Sequence, residues 1–232
     1  MDNNLHKLSL SAFIGFTAFA LALKGLLDLV IWRYAGPISL VIILICVSFY
    51  LTRRGVGFDK IGLVRLKAAR SYWLLLLQSV FAFIAIVATG ALVTILGDAS
   101  GLAFMQPDRE GALSRFGDLA GNAPLFLFWL AILWIAGPAE ELFFRGFMMN
   151  ALADVLGKSQ VANVLSIMIP ALIFGAGHMY YQGVRGLVTT GLIGVSLGCL
   201  FLAYKRNVWP LMIAHASVNT LVFTLQFLEI EA

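Results

Sequence analysis

The sequence has few charged residues and only two cysteines. Charged side chains make up 12% of its 232 residues, whereas a typical soluble domain has about 25%. Disorder is excluded because it requires high charge and low hydrophobicity. A disulfide scaffold is excluded because Cys46 and Cys199 are the whole cysteine content. A soluble globular protein is excluded too, since a chain this poor in polar side chains cannot cover its own surface.

Apolar residues are abundant instead, at 61% of the chain. They form runs close to the length of about 20 residues that crosses a bilayer as a helix. We therefore predict an all-α fold, a polytopic transmembrane helix bundle of about seven spans with its active site inside the bundle. The whole chain, residues 1–232, is predicted to be one integral-membrane domain. The predicted spans are residues 8–31, 36–51, 72–96, 124–151, 161–180, 186–204 and 208–228.

Loop charge predicts the orientation of the spans. The segment 52–71 carries six basic residues and one acid, and loops rich in Lys and Arg stay in the cytoplasm. The N-terminus is then cytoplasmic and the mixed-charge segment 97–122 lies outside. The first apolar run is longer than the core of a signal peptide, so we expect it to be retained. This arrangement is typical of a protein of the bacterial inner (cytoplasmic) membrane. Because the basic residues are explained by the orientation of the spans, no nucleic-acid partner is predicted.

Three ionisable residues lie within the fourth predicted span: Glu140, Glu141 and Arg145. A charged residue at the centre of a membrane helix costs about 2.5–3.5 kcal/mol, which makes it a candidate for function. Glu141 and Arg145 are spaced i,i+4 and can form an ion pair on one helix face, whereas Glu140 has no such partner. We predict that Glu141 is a structural anchor and Glu140 the catalyst. The alternative is that all three form one structural network.

Two histidines in later spans extend this constellation. Phe174 lies four residues before His178, and Asn219 lies four residues after His215, so each pair shares a helix face. A carboxylate and an imidazole can activate water, and a second imidazole with an amide can stabilise an oxyanion. The same Glu140, His178 and His215 could ligate zinc, but the sequence has no H-E-x-x-H motif. Catalysis without a cofactor is therefore predicted, with zinc as the alternative.

The motifs E-E-x-x-x-R, F-x-x-x-H and H-x-x-x-N stand in order at residues 140–145, 174–178 and 215–219. In these motifs the chain resembles the CAAX protease and bacteriocin-processing (CPBP, or Abi) family, which includes the Ras-converting CAAX prenyl endoproteases. The resemblance covers a catalytic core at residues 124–228. The N-terminal spans and polar loops, residues 1–123, resemble the family only in their general apolar character.

The resemblance implies a glutamate-dependent intramembrane endopeptidase. It assigns water activation to Glu140 and His178 and the oxyanion site to His215 and Asn219. Glu141, Arg145 and Phe174 would support them.

The expected partners are the lipid bilayer and a peptide or protein substrate, lipidated or not. From the depths of the motif residues we expect a cavity that opens toward the cytoplasm. One alternative is a non-catalytic membrane scaffold or regulator, such as an immunity-type protein, with the same fold. Another is a proton-coupled transporter with Glu140 as its relay. The transporter is disfavoured because the chain has no internal repeats or paired broken helices.

Overall fold

A computed structural model of the chain describes residues 8–66, 68–157 and 159–229, and the regular structure in these ranges is helical throughout. The predicted all-α bundle is therefore confirmed. The helices are α1 (Leu10–Arg53), α2 (Ala69–Ser100), α3 (Arg109–Phe116), α4 (Ala123–Glu141), a π-helical segment (Leu142–Met148), α5 (Met149–Leu156), α6 (Gln160–Ala203) and α7 (Trp209–Phe227). Short 3₁₀ turns lie at Phe58–Ile61 and Ala103–Met105.

The described part of the chain holds four helices that are long and apolar enough to cross a membrane, rather than about seven. They are Leu10–Arg53, Arg70–Ser100, Ala123–Leu156 and Gln160–Ala203. Two of them have 44 residues each and would be about 66 Å long if straight, roughly twice the hydrocarbon thickness of a bilayer. Neither is straight, and this accounts for most of the difference from the predicted count.

Helix α1 is a helical hairpin. The backbone leaves helical geometry at Ile31, with φ −138° and ψ 45°. On the two sides of this break, the rings of Phe16 and Tyr50 meet with their centroids 5.4 Å apart. Since these residues lie about equally far from Ile31 in sequence, the two halves of α1 run antiparallel. They correspond to the first two predicted spans.

Helix α6 folds back in the same way at Gly183. That residue has φ 63°, a left-handed conformation that glycine adopts without steric penalty. A Cβ placed on Gly175 would lie 2.6 Å from the carbonyl oxygen of Leu187, and one on Gly194 would lie 3.0 Å from Cβ of Ala171. Glycine therefore lets the two halves approach backbone to backbone, as the fifth and sixth predicted spans.

Helix α7 lies between α2 and α4 and packs extensively on both. On the α2 side, Leu211 and Ala214 pack with Ala82 and Ile86. The sequence of α7 is interrupted by polar side chains, including His215, and α7 is not among the four strongly apolar helices. Because protein surrounds it on two sides, α7 carries these polar groups into the bundle rather than toward lipid.

Candidate active site

A buried ion pair joins α4 to the π-helical segment that follows it. Nη1 of Arg145 donates to Oε1 of Glu141 over 2.8 Å, so the contact expected from the i,i+4 spacing is present. Glu141 is 0% exposed and Arg145 is 1% exposed. Arg145 also donates from Nη2 to the carbonyl oxygen of Gly194 (3.3 Å) and lies 4.9 Å from the ring centroid of Phe174. The pair thus ties the fourth predicted span to both halves of α6.

The π-helical segment begins directly after Glu141, at the turn that carries Arg145. Such segments are rare, and many occur at functional sites. This one passes close to the 52–71 loop, since a Cβ on Gly146 would lie 2.5 Å from the carbonyl oxygen of Ile61. Nothing in the sequence predicted this widening of the helix.

His215 lies between the two adjacent glutamates. Its Nδ1 is 2.9 Å from Oε1 of Glu141, and its Nε2 is 3.5 Å from Oε2 of Glu140. Since an ionised carboxylate only accepts hydrogen bonds, Nδ1 carries a proton and donates it to Glu141. The Glu140 side chain is 18% exposed, unlike that of Glu141. The two acids therefore differ in environment: Glu141 is sealed in the protein and Glu140 borders open space.

His178 is oriented by its own helix. Its Nδ1 lies 2.8 Å from the carbonyl oxygen of Phe174. A carbonyl can only accept, so Nδ1 carries the proton and Nε2 of the neutral ring is left as an acceptor. The Phe174 ring packs against both imidazoles, with centroids 4.6 Å from His178 and 6.2 Å from His215. Phe174 therefore fixes the spacing between the two histidines.

Asn219 follows His215 by one turn of α7 and faces α4. A Cβ on Gly137 would lie 3.4 Å from Nδ2 of Asn219 and 3.5 Å from Cδ2 of His215. The missing side chain at Gly137 therefore lets α7 approach α4 at the level of these two polar groups.

A cavity of about 370 Å³ brings the predicted residues together. Its wall includes Glu140, Phe174, His178, His215 and Asn219. Glu141 and Arg145 are outside this lining and lie behind it, where they hold His215 and α6. Geometrically, the cavity offers a carboxylate, two imidazoles and an amide to one bound molecule. The wall is mostly apolar, which suits a hydrophobic peptide.

Several polar residues of the cavity were not predicted as site residues. Lys24 forms an i,i+4 pair with Asp28 (2.6 Å) and also lines the cavity. Tyr180 and Tyr181 are lining residues as well. Arg115 of α3 lines it too and is 6% exposed. No sequence signal distinguishes it from Arg109, which is exposed on the same helix.

The cavity extends toward the end of the bundle that carries α3. Arg115 reaches the carbonyl oxygen of Trp32 near the turn of α1, and Arg185, just after the turn of α6, pairs with Asp98. The lining at this end includes Gly36, Pro37, Ala112, Arg115, Gln182 and Gln226. No described residue of the basic loops 54–68 or 204–208 lines the cavity.

Under the orientation predicted from loop charge, the α3 end of the cavity lies on the outer side, and the expected opening toward the cytoplasm stays a prediction. That expectation counted the depths of Glu140 and His215 along their helices. It did not include the fold of segment 97–122, which brings α3 against the cavity.

Metal ligation was considered for the same residues. Within the described ranges, no group of three His, Cys, Asp or Glu side chains is placed to hold a metal ion. Zinc at Glu140, His178 and His215 stays an alternative for experiment.

The helical bundle and its long apolar helices are those of a membrane-embedded protein, and its cavity brings acid, imidazole and amide groups together. Residues 122–221 match the family model described as type II CAAX prenyl endopeptidase Rce1-like. In this segment, which is somewhat under half of the sequence, the chain is similar to that endopeptidase family, as the three motifs predicted. No curated protein and no solved structure gives a significant match.

Proposed function

We propose that the chain is an intramembrane endopeptidase of the CAAX protease type that uses Glu140 to activate water. The observation that carries the proposal is that Glu140, His178, His215 and Asn219 share one cavity. The family match supports a protease, and the environments of the two glutamates support the division between catalyst and anchor. A scaffold has no need for this set of polar groups inside a bundle, because each costs free energy to bury.

In this mechanism a water molecule binds between the Glu140 carboxylate and Nε2 of His178. Glu140 takes a proton from the water as its oxygen attacks the peptide carbonyl. The proton then passes to the leaving nitrogen as the C–N bond breaks, so that one water is consumed and a carboxyl and an amine are formed. His178, with its proton held on Nδ1 by Phe174, accepts a hydrogen bond from the water and orients it.

The negative charge that develops on the carbonyl oxygen is placed near α7. Nδ2 of Asn219 is one donor, and His215 is the other. Because Nδ1 of His215 donates to Glu141, its Nε2 can donate to the oxyanion when the ring carries both protons. The Glu141–Arg145 pair does not contact the substrate in this mechanism. It acts indirectly, by fixing the ring of His215.

The substrate is proposed to be a peptide or protein segment at the membrane surface, with or without an attached lipid. The protein is proposed to lie in a bacterial cytoplasmic membrane with its N-terminus and its basic loops inside. With that orientation the cavity is reached from the outer end, where α3 lies, or from the bilayer between helices.

The proposal is tested with purified protein in detergent and in liposomes. The probe is an internally quenched peptide with a farnesylated cysteine, and a second probe lacks the lipid. Wild type is expected to cleave at least one of them, and Glu140→Gln neither. The exposed Glu110 of α3 supplies a matched control, because Glu110→Gln makes the same chemical change away from the cavity. A folded wild-type protein that cleaves neither probe would favour the scaffold.

A further inference from the structure

Arg115 is a buried cation that faces the catalytic cavity. Arg115 is only 6% exposed, yet it contributes to the cavity wall. Nη1 donates to the hydroxyl of Tyr180 and to the carbonyl oxygen of Trp32. Nε is buried and has no hydrogen-bond partner in the described part of the chain. A buried guanidinium with an unused donor costs free energy unless a ligand satisfies it.

The charge of Arg115 is also not paired within the described residues. Two nearby carboxylates form ion pairs with other cations: Asp28 pairs with Lys24 at 2.6 Å, and Glu141 pairs with Arg145 at 2.8 Å. No ion pair of the described residues includes Arg115. Its neighbours are instead aromatic, with the ring centroid of Tyr181 4.5 Å from its Cζ. The cavity wall therefore includes a positive group that has no direct ion-pair partner among the described residues.

The same tyrosine connects this group to the reaction centre. Tyr181 is one helical turn from His178, and their ring centroids are 5.8 Å apart. The guanidinium carbon of Arg115 and the His178 ring can thus be no more than about 10 Å apart, a span that about three residues of extended peptide cover.

We propose that Arg115 is a specificity-determining residue that binds a carboxylate of the peptide substrate within about three residues of the bond that is cleaved. This inference rests on the proposed function. A guanidinium presents paired N–H donors that match a carboxylate in geometry and charge. The carboxylate can be the C-terminus of the peptide or the side chain of an acidic residue, and both have the chemistry that Arg115 recognises.

The test uses quenched peptides built on whichever of the two probes described above the wild type cleaves, and they differ only in the carboxylate. The first ends in a free carboxylate three residues after the cleaved bond, and the second has a C-terminal amide. The third has the amide and an Asp as its last residue, so its length is unchanged. Wild type is expected to prefer the first or the third over the second by about 10- to 100-fold in kcat/KM. Preference for the first alone identifies the C-terminus, and equal preference for the third identifies any nearby carboxylate.

Variants at position 115 decide whether this residue is responsible. Arg115→Gln is expected to bring the ratio between carboxylate and amide peptides close to one, mainly through KM for the carboxylate peptide, and Arg115→Lys to restore part of it. The ratio does not depend on how much of a variant folds, because both peptides meet the same sample. Arg109→Gln, on the same helix but exposed, should keep the wild-type ratio.

Two results overturn the inference. One is a wild-type protein that cleaves all three peptides equally well, which leaves the proposed function intact. The other is an unchanged ratio in Arg115→Gln. A wild-type protein that cleaves none of them contradicts the proposed function itself.

Discussion

Replacing Glu141 with glutamine removes one charge from the most buried ion pair of the protein while keeping the side-chain volume. Glu141 accepts hydrogen bonds from Arg145 and His215 and is fully buried. In Glu141→Gln the guanidinium of Arg145 stays buried without its counter-charge. Breaking a buried pair from one side costs about 3–5 kcal/mol.

The lower end of that range applies here. Arg145 keeps its hydrogen bond to the carbonyl oxygen of Gly194 and its contact with the Phe174 ring. A loss of about 3 kcal/mol corresponds to a fall in Tm of about 6–12 °C for a chain of this size. Thermal unfolding in detergent, followed by tryptophan fluorescence at one scan rate, measures the difference between variants.

The adjacent Glu140 provides a matched control. Its side chain is partly exposed and its nearest charged partner, His215, is 3.5 Å away, so Glu140→Gln is expected to cost about 1 kcal/mol or less. Combining Glu141→Gln with Arg145→Met removes both charges and is expected to recover part of the lost Tm. Equal losses in the two glutamine variants, or no loss in Glu141→Gln, would refute the anchor role.

Three further predictions concern the hairpin, metal and orientation. Gly175→Ala should lower Tm and activity because its Cβ would lie 2.6 Å from the carbonyl oxygen of Leu187, whereas Gly177→Ala, with nothing within 4 Å, should leave Tm close to wild type; equal Tm values would contradict the close approach within α6. Activity should survive a chelator such as EDTA, and stoichiometric zinc in active protein, with activity lost on chelation and restored by the metal, would establish the zinc alternative. In a variant without native cysteines, an impermeant thiol reagent added to intact cells should label Glu110→Cys but not Arg65→Cys, both at exposed positions; the reverse pattern would place α3 and its end of the cavity in the cytoplasm.

The parts of the site that depend on local spacing could be predicted from the sequence. The contact between Glu141 and Arg145 follows from i,i+4 geometry, and so does the pairing of Lys24 with Asp28. The apolar runs indicated where helices lie. They did not show that two pairs of runs form helical hairpins, each with one non-helical residue at its turn, Ile31 or Gly183. The apolar composition is the same on both sides of each turn, so it gives no signal for the turn.

The parts that depend on tertiary contacts could not be predicted. Arg115 meets Tyr180 across 65 residues of sequence, and no periodicity connects the short polar helix α3 to a membrane hairpin. The position of His215 between Glu140 and Glu141 likewise depends on how α7 packs against α4. For the same reason, counting residues along single helices could not show that α3 borders the cavity.

The central claim is that Glu140 activates the water that cleaves the peptide, and turnover by Glu140→Gln tests it most directly. The amide has nearly the volume of the carboxylate but cannot take a proton from water, so kcat is expected to fall at least about 100-fold. The Tm of the variant should stay near that of wild type, which shows that the protein is folded. A folded Glu140→Gln protein that cleaves the quenched peptide at close to the wild-type rate would contradict the account.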